Sequence, residues 1–85
     1  MFELGEKIRK RRKYLKKNQG EVADKVPVSK SQISKWENEN TYPSMSDFVK
    51  LCRAMNIHPA DLIAGRIEEN WFKDKHKKTR TALVG

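Results

Sequence analysis

The sequence predicts an all-α fold, a compact bundle of five short helices with a short basic C-terminal tail. Apolar residues recur at helical spacing in Leu4, Ile8 and Leu15, and again in Phe48, Leu51, Cys52 and Met55. Helix-start signals recur at Asn18, Ser29, Ser44 and His58-Pro59. With 85 residues there is room for one small domain, and chains of this size bury only about 60% of their unfolded surface.

The first helix is expected from about Glu3 to Lys17, with Leu4, Ile8 and Leu15 inward and Lys7, Arg9, Lys10, Arg11, Lys13, Lys16 and Lys17 on its other faces. Arg12 breaks the pattern. At 100° per residue it lies about 40° from Ile8 and about 60° from Leu15, on the buried stripe, where a cation needs an acidic partner. Asn18 and Glu21 have the spacing of a capping box and open a second helix of about two turns through Val22, Ala23 and Val26, which Pro27 stops. Ser29 and Gln32 have the same spacing and open a third, from Lys30 to about Asn38. Two short helices joined by a tight break form a helix-turn-helix candidate.

Glu39 to Pro43 reads as a polar loop, after which Ser44 and Asp47 cap the fourth helix. Asn56 is suited to the left-handed position that ends it. Pro59 sits at the first position of a fifth helix, to which Leu62 and Ile63 contribute apolar contacts and which Gly65 stops. Residues 1–65 are therefore read as the domain, and 66–85, with six basic and three acidic residues, as a basic tail outside the core.

Charge narrows the function. With 19 Lys+Arg against 11 Asp+Glu, a formal charge of +8 and a pI near 9.8, the chain suits a polyanionic partner, nucleic acid before an anionic membrane. A membrane-surface helix needs a broad apolar face that Leu4, Ile8 and Leu15 do not make. No apolar run approaches a membrane span and no signal peptide is visible, so a cytoplasmic protein with no membrane partner is expected. One cysteine, Cys52, and two histidines, His58 and His76, exclude an internal disulfide and a cysteine-rich zinc site. No nucleophile–base pair, metal-ligand spacing or phosphate loop occurs, so neither enzyme chemistry nor a cofactor is expected.

The third helix carries the site. Ile33 and Trp36 point inward, while Ser31, Ser34, Lys35 and Asn38 share the opposite face, with Lys30 and Gln32 near its N-terminal end. That face holds donors and no acid, which is what a DNA groove selects. Glu37 falls about 40° from Ile33, on the inward side. An Arg12–Glu37 pair is expected to set the angle of the third helix against the first.

These residues resemble the lambdoid phage repressor and Cro type of helix-turn-helix, also called the XRE family. The resemblance covers Leu4 to Gly65 and is carried by Asn18-Gln19, Val22-Ala23, the run from Val28 to Asn38, and Tyr42-Pro43-Ser44. Within it, Ser29, Ile33-Ser34 and Trp36-Glu37 form the specific pattern. It implies a lambda-repressor-like DNA-binding bundle in which Lys30, Ser31 and Lys35 face base edges, Gln19 and Asn38 hold backbone phosphates, and Arg12 pairs with Glu37. Ser34 is assigned to the phosphate contacts, and Gln32 to base readout in competition with its capping duty to Ser29.

Two positions depart from the family pattern. Pro27 stands where a left-handed glycine is usual, so the turn must be built differently, with an extra residue as one way to do it. Gly20 replaces an acidic helix former beside Gln19. The expected function is a sequence-specific transcriptional regulator, a repressor in its simplest form, acting as a homodimer on a near-palindromic operator in double-stranded DNA. The alternative is an antitoxin-type DNA-binding protein whose tail, 66–85, engages a protein partner. Cys52 is read as a small buried hydrophobe rather than a redox switch and His58 as a cap. Trp71 and Phe72 either fold back on the domain or supply a dimer contact.

Overall fold

Polar side chains set the helix starts. In the computed structural model, which describes residues 3–71, Asn18 Oδ1 accepts from Glu21 N (2.8 Å) and Glu21 Oε1 accepts from Asn18 N (2.8 Å), opening α2 (Gln19–Lys25) with a full capping box. Ser29 Oγ caps α3 (Lys30–Glu37), Ser44 Oγ caps α4 (Met45–Ala54), and His58 Nδ1 accepts from Ala60 N at the start of α5 (Pro59–Ala64). The Gln32 side chain makes no return bond to Ser29, so the box at α3 is half formed. α1 (Leu4–Tyr14) has no side-chain cap of its own. Its Gly5 N–H donates to the Glu39 carboxylate (2.7 Å), which reaches across from the loop after α3.

The helix ends share one device. After α1, α3, α4 and α5 a left-handed residue, respectively Lys16, Glu39, Asn56 and Gly65, lets the next N–H return to a carbonyl five residues back: Lys17 to Arg12, Asn40 to Lys35, Ile57 to Cys52 and Arg66 to Asp61. This ends α1 at Tyr14, short of the Lys17 that periodicity suggests, because Leu15 turns in against the core and Asn18 must be extended to cap α2. Pro27 has no N–H and cannot be left-handed, yet Val28 N still reaches Ala23 O (2.9 Å). The Val26–Pro27 peptide bond is cis. The turn is thus built differently from its four counterparts, and it keeps their five-residue closure without lengthening.

α3 packs on α1 and α2, α5 on α1 and α4, and α2 on α4. Between them lies one core of Ile8, Val22, Ala23, Val26, Ile33, Trp36, Phe48, Leu51, Cys52, Met55, Ile57 and Leu62. Burial pushes the Cys52 thiol up to about 12, so it packs as a neutral apolar group.

Arg11, expected among the basic residues of a wet face, is fully buried. Its guanidinium donates to the carbonyls of Met55 (3.0 Å), Asn56 (3.0 Å) and Ile67 (2.6 Å) and to Asn70 Oδ1 (2.9 Å), and its Cζ lies 5.2 Å from the centre of the Tyr14 ring. Desolvation lowers its pKa, and the acceptors offset that cost with charge-assisted bonds. The pattern held the signal, since Arg11 is seven residues from Leu4, three from Ile8 and four from Leu15.

The same contacts move the domain boundary. Residues 66–71, read as tail, lie against the bundle: Ile67 and Trp71 pack on the core and Trp71 N donates to Asn56 O (2.8 Å). The Trp71 ring meets His58 edge-on at 5.2 Å and Arg53 at 5.4 Å, so Trp71 folds back on the domain. Phe72 and the rest of the tail lie outside the described residues.

Gly5 sets how closely α1 approaches α3. A methyl group there would run into the Glu37 carbonyl oxygen and Glu39 Cγ. Gly5→Ala is therefore expected to destabilise the fold by about 1–3 kcal/mol through overpacking, despite alanine's better helix propensity. Thermal denaturation tests this, and a higher melting temperature would contradict the close approach.

Candidate nucleic-acid interface

Local sequence turns α3 so that it sorts its residues by chemistry. Ile33, Trp36 and Glu37 are buried. The indole Nε1 of Trp36 has no hydrogen-bond partner among the described residues. Lys30, Ser31 and Lys35 are exposed, Gln32 and Ser34 half-buried, and Asn38 exposed just beyond the helix. No acidic side chain stands on that outer face. It presents hydroxyls, an amide and two ammonium groups, the donors that major-groove edges and phosphates accept.

Behind this face one carboxylate of α3 collects partners from both neighbouring helices, α1 and α2. Glu37, 3% exposed, accepts from Arg12 of α1 in a fork, Nε to Oε2 at 2.6 Å and Nη2 to Oε1 at 2.9 Å. Arg12 also donates to Lys17 O (3.0 Å), tying down the end of α1. The hydrogen bonds to Glu37 raise the Arg12 pKa, so the pair stays ionised. From α2, Gln19 Nε2 donates to Glu37 Oε1 (3.0 Å). From the exposed side of α1, Arg9 Nε lies 3.7 Å from the same oxygen, and Arg9 Nη2 donates to Asn38 Oδ1 (3.3 Å). Asn38 Nδ2 then donates to Ser34 Oγ (3.4 Å).

Arg12, Gln19, Ser34, Glu37 and Asn38, each singled out by sequence, are thus brought into one connected cluster. Lys30, Ser31, Gln32 and Lys35 stand apart from it, their side chains free of hydrogen bonds among the described residues. Two guanidinium groups share one carboxylate, which leaves this edge with positive charge in excess. Gln19 uses one amide hydrogen on Glu37 and keeps the other for a second acceptor. Sequence reasoning did not single out Arg9 within the basic run, nor Glu39 and Gly5. Arg9 lies three residues before Arg12, within helical reach of the same partner, and that spacing was the available signal.

The chain matches the family model described as "Helix-turn-helix domain" over residues 5–68. It is 36% identical to the repressor protein C2 of Salmonella phage P22 over 66 residues, 78% of this chain and 31% of that protein. It is 28% identical over 82 residues to the cryptic phage CTXphi transcriptional repressor RstR of Vibrio cholerae, 96% of this chain and 69% of that protein. The fold is similar to that of the P22 c2 repressor solved in complex with a synthetic operator, with a TM-score of 0.68 and 39% identity over 73% of this chain and 94% of the solved one. The chain therefore spans about a third of the length of C2.

Removing the shared carboxylate should be far more damaging than removing its exposed cation. Glu37→Ala is expected to cost about 3–5 kcal/mol, because it strands a buried guanidinium. Arg9→Ala, at 40% side-chain exposure, should cost no more than about 1 kcal/mol. Equal thermal shifts for the two variants would contradict this ranking.

Proposed function

The chain belongs to the helix-turn-helix family of phage-repressor type, and on that premise we propose that it is a sequence-specific DNA-binding transcriptional repressor that reads the major groove with α3. The acid-free outer face of α3, backed by the Glu37 cluster, carries this reading. Lys30, Ser31 and Lys35 reach base edges, with Lys35 donating to guanine O6 and N7. Gln32, whose side chain is not spent on Ser29, joins them. Gln19, Ser34 and Asn38 hold phosphates, Gln19 with its second amide hydrogen.

The protein acts as a homodimer in the cytoplasm on a near-palindromic operator in double-stranded DNA, its half-sites about 34 Å apart. Phosphate contacts supply affinity and a steep salt dependence. The antitoxin alternative draws no support from the relatives named above, and most of the segment it relies on lies outside the described residues.

Selection from a random duplex library at near-physiological salt tests the proposal. A twofold-symmetric motif is expected, and background binding without any enriched motif would reject it. On the selected site, Lys35→Ala should cost about 1–3 kcal/mol and relax preference at one base position. Gln19→Ala should weaken all sequences about equally. Identical loss profiles for the two variants would overturn the assignment of roles.

A further inference from the structure

We propose that residues 66–71 are a releasable latch on Arg11, coupled through α1 to the orientation of α3. Docking of the latch favours DNA binding, and DNA on α3 tightens the latch; this rests on the DNA-reading role given to α3 above. The Arg11 guanidinium is fully buried, and two of its acceptors, Ile67 O (2.6 Å) and Asn70 Oδ1 (2.9 Å), belong to this segment. The segment is otherwise held by Arg66 N–H on Asp61 O (2.8 Å), by Trp71 N–H on Asn56 O (2.8 Å), and by the half-buried Ile67 and Trp71 side chains at the edge of the core.

The segment can leave without unfolding the bundle. It contains no helix, and no buried core side chain comes from it. The remaining acceptors of Arg11, the Met55 and Asn56 carbonyls, lie at the end of α4, and the Tyr14 ring beside its guanidinium is on α1 itself. They stay in place when the segment lifts, and water takes the places of Ile67 O and Asn70 Oδ1, so the cation is not stranded dry. A stretch with few buried apolar contacts and no regular structure opens at lower free energy than the helices it covers. The chain continues from Trp71, so a pull on it bears on the latch before it bears on any helix.

The coupling runs through two consecutive residues. Arg11 makes the latch bonds and Arg12 makes the fork to Glu37, so any rotation of α1 strains both sets. With the latch docked, α1 is held by directional bonds to α3 and to the end of α4 and its closing segment together. With the latch open, Arg11 keeps only its bonds to α4, and α1 gains freedom that the fork passes to α3. Linkage is reciprocal: a duplex that holds α3 in one orientation favours the docked latch by the same factor as the docked latch favours the duplex. Trp71 itself lies against His58 and Arg53, away from the outer face of α3, so the effect reaches it through the protein.

Native-state hydrogen exchange of the full chain by NMR tests this, following the Trp71 amide, with the Met55 amide, bonded to Leu51 O in α4, as the reference for global unfolding. Without DNA, Trp71 should exchange at least about tenfold faster than Met55. Asn70→Ala, which removes an acceptor of Arg11, should speed it further. Glu37→Gln, which weakens the fork on the other flank of α1, should speed Trp71 exchange at least about fivefold, and Arg12→Lys, which keeps the charge but loses the fork, serves equally should that variant not fold. Trp71 and Met55 exchanging together, or a Trp71 rate indifferent to the fork, would overturn the proposal, and these arms need no DNA. On the duplex selected above, Trp71 exchange should slow at least about fivefold and Trp71→Ala should weaken binding comparably. A bound duplex that leaves Trp71 exchange unmoved would overturn the coupling, whereas failure to select any duplex would reject operator recognition and leave the DNA-free arms to decide the latch.

Discussion

A single buried carboxylate governs where the third helix points. Glu37 sits in the last turn of α3, and the groups it gathers, Arg12, Gln19 and Arg9, come from both neighbouring helices. Apolar packing alone holds a helix without fixing its rotation to a fraction of an ångström. A forked guanidinium–carboxylate pair does fix it, because both bonds must be made in one plane. Buried charge is not itself a source of stability, and an apolar replacement for such a pair can match it. What the cluster contributes is orientation: it aims Lys30, Ser31 and Lys35 outward and ties Gln19 and Asn38 to the same frame. Gly5 allows the close approach that makes this reach possible, and Glu39 closes it by capping α1 from the far side.

Arg11 does comparable work on the opposite flank of α1. Two neighbouring residues, Arg11 and Arg12, diverge by one helical step and bury their guanidinium groups in different places. Arg12 meets a carboxylate, whereas Arg11 meets backbone carbonyls at the end of α4 and in residues 66–71. Helix C-terminal carbonyls carry partial negative charge, so a cation there is stabilised without a formal counterion. The first helix thereby becomes the spine of the domain, anchored to α3 on one side and to the closing segment on the other. Trp71 completes that closure against His58 and Arg53.

What the sequence disclosed divides along the range of the interactions. Caps are local, so Asn18 with Glu21, Ser29, Ser44 and His58-Pro59 marked four of the five helix starts. The Arg12–Glu37 pair was legible because both residues interrupt apolar stripes, and a charge on a buried stripe demands its opposite. Arg11 interrupts the same stripe more centrally, but an arginine within a run of basic residues looks solvated by type, and only its helical position points inward. The end of α1 was unreadable for another reason: a lysine, Lys16, takes the left-handed position that glycine or asparagine usually marks. Gly5, Glu39 and the docking of residues 66–71 depend on contacts between distant parts of the chain, which no local pattern reports. Among the site residues, side-chain type and helical phase sufficed to assemble the outer face of α3, while Arg9 stands out from its basic neighbours only by its spacing from Arg12, once the Arg12–Glu37 pair is in place.

The central claim, that the Arg12–Glu37 pair locks α3 to α1, is tested most directly by a double-mutant cycle in chemical denaturation, with Arg12→Met, Glu37→Met and the doubly substituted chain. The account predicts that the double substitution costs less than the sum of the singles by about 2 kcal/mol or more, because each single strands a buried charge and the pair of apolar side chains does not. Additive losses would contradict it, and α3 would then owe its orientation to apolar packing alone.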